Sequence, residues 1–445
     1  METYFIEFLV KPRKSSSKYA SAEKITAIGW VKSLDAETAL PIALFEVEKD
    51  GWKVDKLLTS PKKVLEHDFR SKDIGLEQFQ KAQRFGRAFI YLLVDSRVSE
   101  LTIEEVEDRD EVDIGSFHAS RNGLAKKGKC IHFNAGSECD SVINAHSVQK
   151  GQSLTKIAQD NHVYALAERL ETNGDVLIKK ISIHKFSTFK GFCKYHDNLV
   201  FEPIDNFPLE PNHQQATLYA YRSICREVYV KENSYRLLSK HLTTFKEESR
   251  TKKFIADLKV GTENGLKPLL KKKDVFDSIL RNEKFHEIRY VVLECRDSPN
   301  ISFSGLLYPE FDFQGKVLQD LSELGKNFSL ITFCSAPTKS GWAVIFSWHE
   351  SDDNICFRFI DSLKEVLRSG KSIEDAVFRL VITTCENVAY SPHWWESLCQ
   401  YKKDELSKYI RLNADPLTPV SSDYLKIGLS GVVSWNFINV YSSYE

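Results

Sequence analysis

The feature that most constrains this chain is a set of cysteines and histidines split between two distant segments. The first segment is Cys130-Ile-His-Phe-Asn-Ala-Gly-Ser-Glu-Cys139, and the second is Phe192-Cys193-Lys-Tyr-His196-Asp197-Asn198. Zinc takes four nitrogen or sulfur ligands in a tetrahedron, and two separated pairs can supply them, one from a hairpin-like loop and one from a turn that opens a helix. The first pair has eight residues between its cysteines, longer than a standard knuckle, and Gly136 lets that loop turn back. The second has the two-residue knuckle spacing with histidine in place of cysteine. Free cysteines also pack as small hydrophobes, but these three lie among polar neighbours and close to several histidines. The expected ligands are therefore Cys130, Cys139, Cys193 and His196, with His132 and His146 as competitors.

Composition fits an intracellular globular protein. The 445 residues call for roughly three domains of ordinary size. A formal net charge of -1 gives the whole molecule no bias towards nucleic acid or membranes, so any steering is local. The chain has no apolar run long enough to span a bilayer and no signal-peptide pattern at METYFIEFLVKPRK. Nine cysteines in this length are an odd, sparse set rather than a disulfide framework, and a reducing cytoplasm is the expected location.

Patterning divides the chain into segments. Residues 1–98 alternate strands at Tyr4–Val10, Ile25–Val31, Trp52–Leu58 and Ala88–Val94 with helices at Asp35–Lys49 and Glu77–Arg84. This order predicts a small α+β sandwich with its helices on one face. Residues 99–122 are rich in acids (Glu104, Glu105, Glu107, Asp108, Asp110, Glu111, Asp113) and read as a solvated linker. The metal segment follows at 123–206. Residues 207–283 are helical, opening with Asn212–Lys240 and carrying Lys246, Arg250, Lys252, Lys253, Lys259, Lys267, Lys271 and Lys272. Apart from Phe254, aromatic residues are not interleaved with these cations, so a solvated helix face is favoured over a phosphate-binding surface. Residues 284–445 return to an α+β pattern, with strands at Ile288–Cys295, Ile301–Tyr308, Ser329–Cys334 and Trp342–Trp348.

The metal segment resembles the treble-clef zinc fold, and within it the HNH-like endonuclease modules. It is also similar to a group of uncharacterised bacterial proteins with an AHS-x-Q element, here Ala145–Gln149, and an FCxxHD element, here Phe192–Asp197, loosely associated with defence against phage. The resemblance covers about eighty residues. It implies an α+β multidomain chain whose central zinc module and helical segment lie between two α+β domains. It also implies structural zinc, a catalytic magnesium or manganese ion coordinated partly by Asp197, His146 as the general base on water, and Asn198 or Asn144 orienting that base. Lys150 or Lys194 would hold a phosphate, the substrate would be nucleic acid, and a protein partner or self-association stays open. Three departures stand against this picture, one being that the insert between the two halves, about fifty residues, is longer than is usual in the family. Ala145 occupies the position before the base where the family often has a metal ligand, and the helical ligand is an aspartate. The alternative is a non-catalytic zinc-stabilised scaffold that binds nucleic acid or protein.

Other motifs exclude themselves. Arg368-Ser-Gly-Lys-Ser372 has Glu365 where a phosphate loop needs glycine, and there is no G-x-S-x-G or G-x-G-x-x-G. The tryptophans at 342, 348, 394 and 395 are read as core residues.

Overall fold

The computed structural model describes residues 1–13, 25–69, 72–95, 98–102, 114–166, 178–245, 250–297, 299–321, 326–414 and 418–444. The acidic residues of 103–113, and Lys246, lie outside that set. The described residues form a mixed α/β structure of eleven α-helices and fifteen strands in three sheets. The chain divides into two compact units, one built on Met1–Asp108 with Arg411–Ser421, the other on Arg109–Leu166, Ile178–Ile410 and Ser422–Glu445.

The first unit runs β1 (Glu2–Pro12), β2 (Ile25–Ser33), α1 (Ala36–Lys49), β3 (Trp52–Val64), α2 (Asp73–Phe85), β4 (Arg87–Asp95) and β5 (Val98–Thr102). Its sheet has the order β3-β1-β2-β4-β5, antiparallel throughout. Asp35 caps α1 by accepting from the Thr38 amide at 2.8 Å, one half of a capping box. The two helices lie on opposite faces, not on one as the sequence predicts. Tyr4, Ile6, Phe8 and Val10 pack with Ala39, Ala43 and Val47 of α1. Phe5, Ile28 and Trp30 pack with Phe79 and Ala82 of α2. The reason is in β1, which is apolar at both parities, so each face of the sheet needs a cover.

The second unit begins with α3 (Ile114–Lys127) and the metal segment: β6 (Ala145–His146), a wide turn over Lys150–Leu154 into the one-turn α4 (Thr155–Ile157), β7 (His162–Leu166), β8 (Ile178–Ser182), β9 (Thr188–Phe189) and α5 (Lys194–Asp205). The long helices α6 (His213–Leu242) and α7 (Arg250–Asn282) follow. The remainder is β10 (Ile288–Cys295), β11 (Ile301–Leu307), β12 (Ile331–Pro337), β13 (Trp342–His349), α8 (Asp353–Arg368), α9 (Ile373–Thr384), β14 (Val388–Tyr390), α10 (Pro392–Ser397), α11 (Gln400–Ala414) and β15 (Phe437–Ser442).

An eight-stranded sheet, β15-β10-β13-β12-β11-β14-β7-β8, joins the C-terminal strands to two strands of the metal segment. The joint is β14 against β7, with Ala389 opposite Ala165 and Tyr390 opposite Tyr164. The segments drawn separately on the sequence at 123–206 and 284–445 therefore share one sheet. Helix α6 is the spine between that sheet and the metal segment. Its Ala216, Tyr221, Ile224 and Val228 enter one core with Phe189, Phe192 and Phe201 and with Val292, Ala336 and Ile345. A helix covered this completely needs apolar or small residues all round, and Ala216–Cys225 supplies them. No helix among the described residues is long and apolar enough to cross a membrane.

Candidate metal centre

The loop from Cys130 to Cys139 is held against the strand that precedes α5. Lys129 and Ile131 donate to the carbonyls of Lys190 and Gly191 at 3.0 and 2.9 Å, and Ile143 donates to that of Phe192 at 3.0 Å. Gly128 makes the close approach possible. Its φ is +54°, and a Cβ there would sit 2.5 Å from that of Lys190. At the other side Cys193 caps α5, and its sulfur accepts from the His196 amide at 3.4 Å. The i, i+3 spacing at a helix start places both side chains on one side.

These two elements bring four ligand atoms within 4.8 Å of one another, from Cys130, Cys139, Cys193 and His196. The Nδ1 atom of His196 stands 3.6, 3.5 and 3.2 Å from the sulfurs of Cys130, Cys139 and Cys193. With ordinary zinc–sulfur and zinc–nitrogen bonds, the nitrogen–sulfur edge of a tetrahedron is about 3.5 Å. The four residues can hold a metal ion such as zinc, and three thiols with one imidazole are the donor set zinc prefers. Burial pushes the Cys130 thiol up to about 11, with the neighbouring Cys193 sulfur adding to it. The Gly136 amide, 3.4 Å from the Cys139 sulfur, lowers that thiol. A divalent cation supplies the charge that lets all three ionise together.

The competing ligands are elsewhere. His132 is buried and stacks on the His196 ring at 4.1 Å, and its Nδ1 accepts from the Asn134 amide at 3.1 Å. Burial and the adjacent His196 hold its pKa down to about 4. His146 lies on β6, with Ala145 paired to Phe189 and His146 to Thr188 of β9. Its Nε2 contacts the Ile183 carbonyl at 2.9 Å. A carbonyl only accepts, so Nε2 carries the proton and Nδ1 is left as an acceptor. Burial is the main reason its pKa is lowered, with Lys150 and Arg222 adding to the effect and the Ile183 carbonyl and Asp205 opposing it. Lys150 itself reaches His184 Nδ1 at 3.0 Å, and Lys194 is exposed.

Asp197 is half-buried on α5, and burial pushes its carboxyl up to about 6, with Arg222 opposing and Asp205 adding. Asn198 and Asn144 are both exposed, and among the described residues neither side chain forms a hydrogen bond. The group that orients His146 is the backbone carbonyl of Ile183, which no side-chain motif could signal. Sequence reading also passed over Arg222 and Asp205. Arg222 of α6 is buried to 3% exposure and forks onto Asp205 at 2.8 and 2.7 Å, with its guanidinium 4.1 Å above the Phe201 ring. Gln149 donates to the carbonyls of Ile204 and Asp205, both at 2.8 Å, and so ties the segment after His146 to the end of α5.

Several lysines of α7 have partners within the fold. Lys267 pairs with Glu263, Lys272 with Asp352 and Lys273 with Asp277. Lys259 lies over the Tyr235 ring. Comparison with protein-family models, with curated proteins and with solved structures yields no match.

Proposed function

We propose that Cys130, Cys139, Cys193 and His196 hold a structural zinc ion that builds a treble-clef-like, HNH-like module, and that the module hydrolyses phosphodiester bonds of nucleic acid. Zinc here contributes folding energy and fixes the start of α5. His146 is the general base. The observation that carries this reading is its tautomer: Nε2 is committed to the Ile183 carbonyl at 2.9 Å, which leaves a neutral ring with Nδ1 available for a proton. Nδ1 takes a proton from water, the water oxygen bonds to phosphorus, and the ester P–O bond breaks. Solvent protonates the leaving oxygen. Lys150, close to His146, supplies positive charge towards a phosphate oxygen.

The catalytic magnesium or manganese of the HNH resemblance does not fit the residues present. Ala145 has no ligand atom, and the four-residue cysteine–histidine group is the only cluster of three or more metal-binding side chains found among the described residues. No step is assigned to such an ion.

A second reading is a zinc-braced scaffold without catalysis. It is favoured by the packing of the metal loop on α7, where Arg281 lies 5.2 Å from the Phe133 ring. Incubation of the zinc-loaded protein with plasmid DNA and with total RNA separates the two. Cleavage abolished by His146→Ala, and retained when lysines of α7 are replaced, supports hydrolysis. Protein that cleaves neither nucleic acid, and that unfolds when chelated, supports the scaffold.

A further inference from the structure

The side chains around His146 contain their own cation. Asp197, Phe201 and Asp205 are spaced at i, i+4 and i+8 on α5, so they share one face of that helix. Arg222 lies across this face, forked onto Asp205 and stacked on Phe201. Its charge reaches both Asp197 and His146. Lys150 is a second cation within reach of His146. On this face Arg222 pairs with Asp205, and Asp197 is the other carboxylate that its charge reaches. Divalent magnesium or manganese is held by several convergent oxygens; with Asp205 committed to Arg222, and with no cluster of three or more metal-binding side chains here among the described residues, this face does not supply them.

We infer that the fixed cation of the module is the Arg222 guanidinium, held by Asp205, and that the α5 face carrying Asp197 takes no catalytic divalent ion. The inference rests on the hydrolytic reading for what the charge does, and on the donor set alone for the missing ion site. A guanidinium with both ends of its fork fixed provides positive charge without reorganisation, as an electrostatic catalyst requires. Its charge disfavours the protonated form of the His146 ring, so that the ring is neutral when water approaches, and Arg222 is thus a positioning residue.

The test uses the full-length, zinc-loaded protein. Manganese is titrated in and its free-ion electron paramagnetic resonance spectrum recorded. The expected result is full free-ion intensity at equimolar manganese, for the natural protein and for Asp197→Asn alike. Loss of that signal, restored by Asp197→Asn, overturns the inference. Cleavage is then measured after magnesium and manganese are stripped with zinc content held constant. Rates are expected to stay within about twofold when magnesium is restored, whereas a rise above about tenfold overturns the inference. Arg222→Met is expected to lower the rate about 100-fold and to move the base limb of the pH profile upward. Should that variant fail to fold, Arg222→Lys keeps the charge without the fork, and an unchanged rate and pH profile in a folded variant overturns the role of the fork. If no form of the protein cleaves nucleic acid, the hydrolytic reading fails, and the manganese titration still decides the ion site.

Discussion

The two ends of α5 handle charge in opposite ways. At its start, three sulfurs and one imidazole nitrogen converge with no cationic side chain among them, an arrangement that calls for a metal ion. Along the rest of the helix an arginine pairs with Asp205 and acts on Asp197, so the protein supplies its own cation there. One helix thus carries a group that could take a cation from outside and a face whose cation comes from the fold. What separates them is which element faces each end. The loop from Cys130 to Cys139 lies against the start, whereas helix α6 delivers Arg222 to the remainder.

The sharpest way to break this comparison is Cys193→Ser. The sulfur is buried and stands nearest His196, at 3.2 Å. Zinc content by elemental analysis should fall from stoichiometric to background and the thermal midpoint should drop, since structural zinc supplies on the order of 10 kcal/mol of binding free energy to folding. Unchanged zinc content would remove Cys193 from the ligand set.

Asp205→Ala comes next. It leaves the Arg222 guanidinium buried without its partner, which costs about 3 kcal/mol or more. Urea unfolding should show the loss while zinc content stays intact, and a loss below about 0.5 kcal/mol would mean that the pair is not holding α5 to α6.

His146 gives a smaller, pH-dependent effect. Its folded pKa is lowered, mainly by burial, so below the ordinary histidine value of about 6.5 the unfolded chain binds a proton that the folded chain does not. The stability contribution is therefore fully present above that value and is lost as pH falls towards the folded value. His146→Gln should flatten this slope in a plot of urea midpoint against pH. An identical slope in both proteins would show that another group titrates.

Asn198→Ala should do least. The side chain is exposed and makes no hydrogen bond among the described residues, so a change within about 0.5 kcal/mol and unaltered cleavage are expected. A large loss of cleavage would return Asn198 to the role that resemblance gives it.

Much of the local structure was legible in the sequence. Asp35 at the start of α1, a long helix opening near Asn212, and the bounds of β10 follow from capping chemistry and from apolar patterning, both encoded within a few residues. The candidate metal group was legible for a similar reason: Cys193 and His196 sit at knuckle spacing, and thiols with an imidazole are donors suited to zinc. Less legible was what each segment packs against. Nothing near Ala165 reveals that it pairs with Ala389. Nothing near Arg222 reveals that it meets Asp205 and the helix face carrying Asp197. The orientation of His146 rests on the carbonyl of Ile183, a group every residue possesses.

The sequence by itself pointed to three cysteines and a histidine as a group that could hold a metal ion, because those donors are chemically distinctive and two of them are spaced by a helix turn. Only the tertiary structure decided that the neighbouring histidine and aspartate share their surroundings with a buried arginine. That outcome depends on α6 crossing α5, a long-range contact set by how two apolar helix faces fill one core.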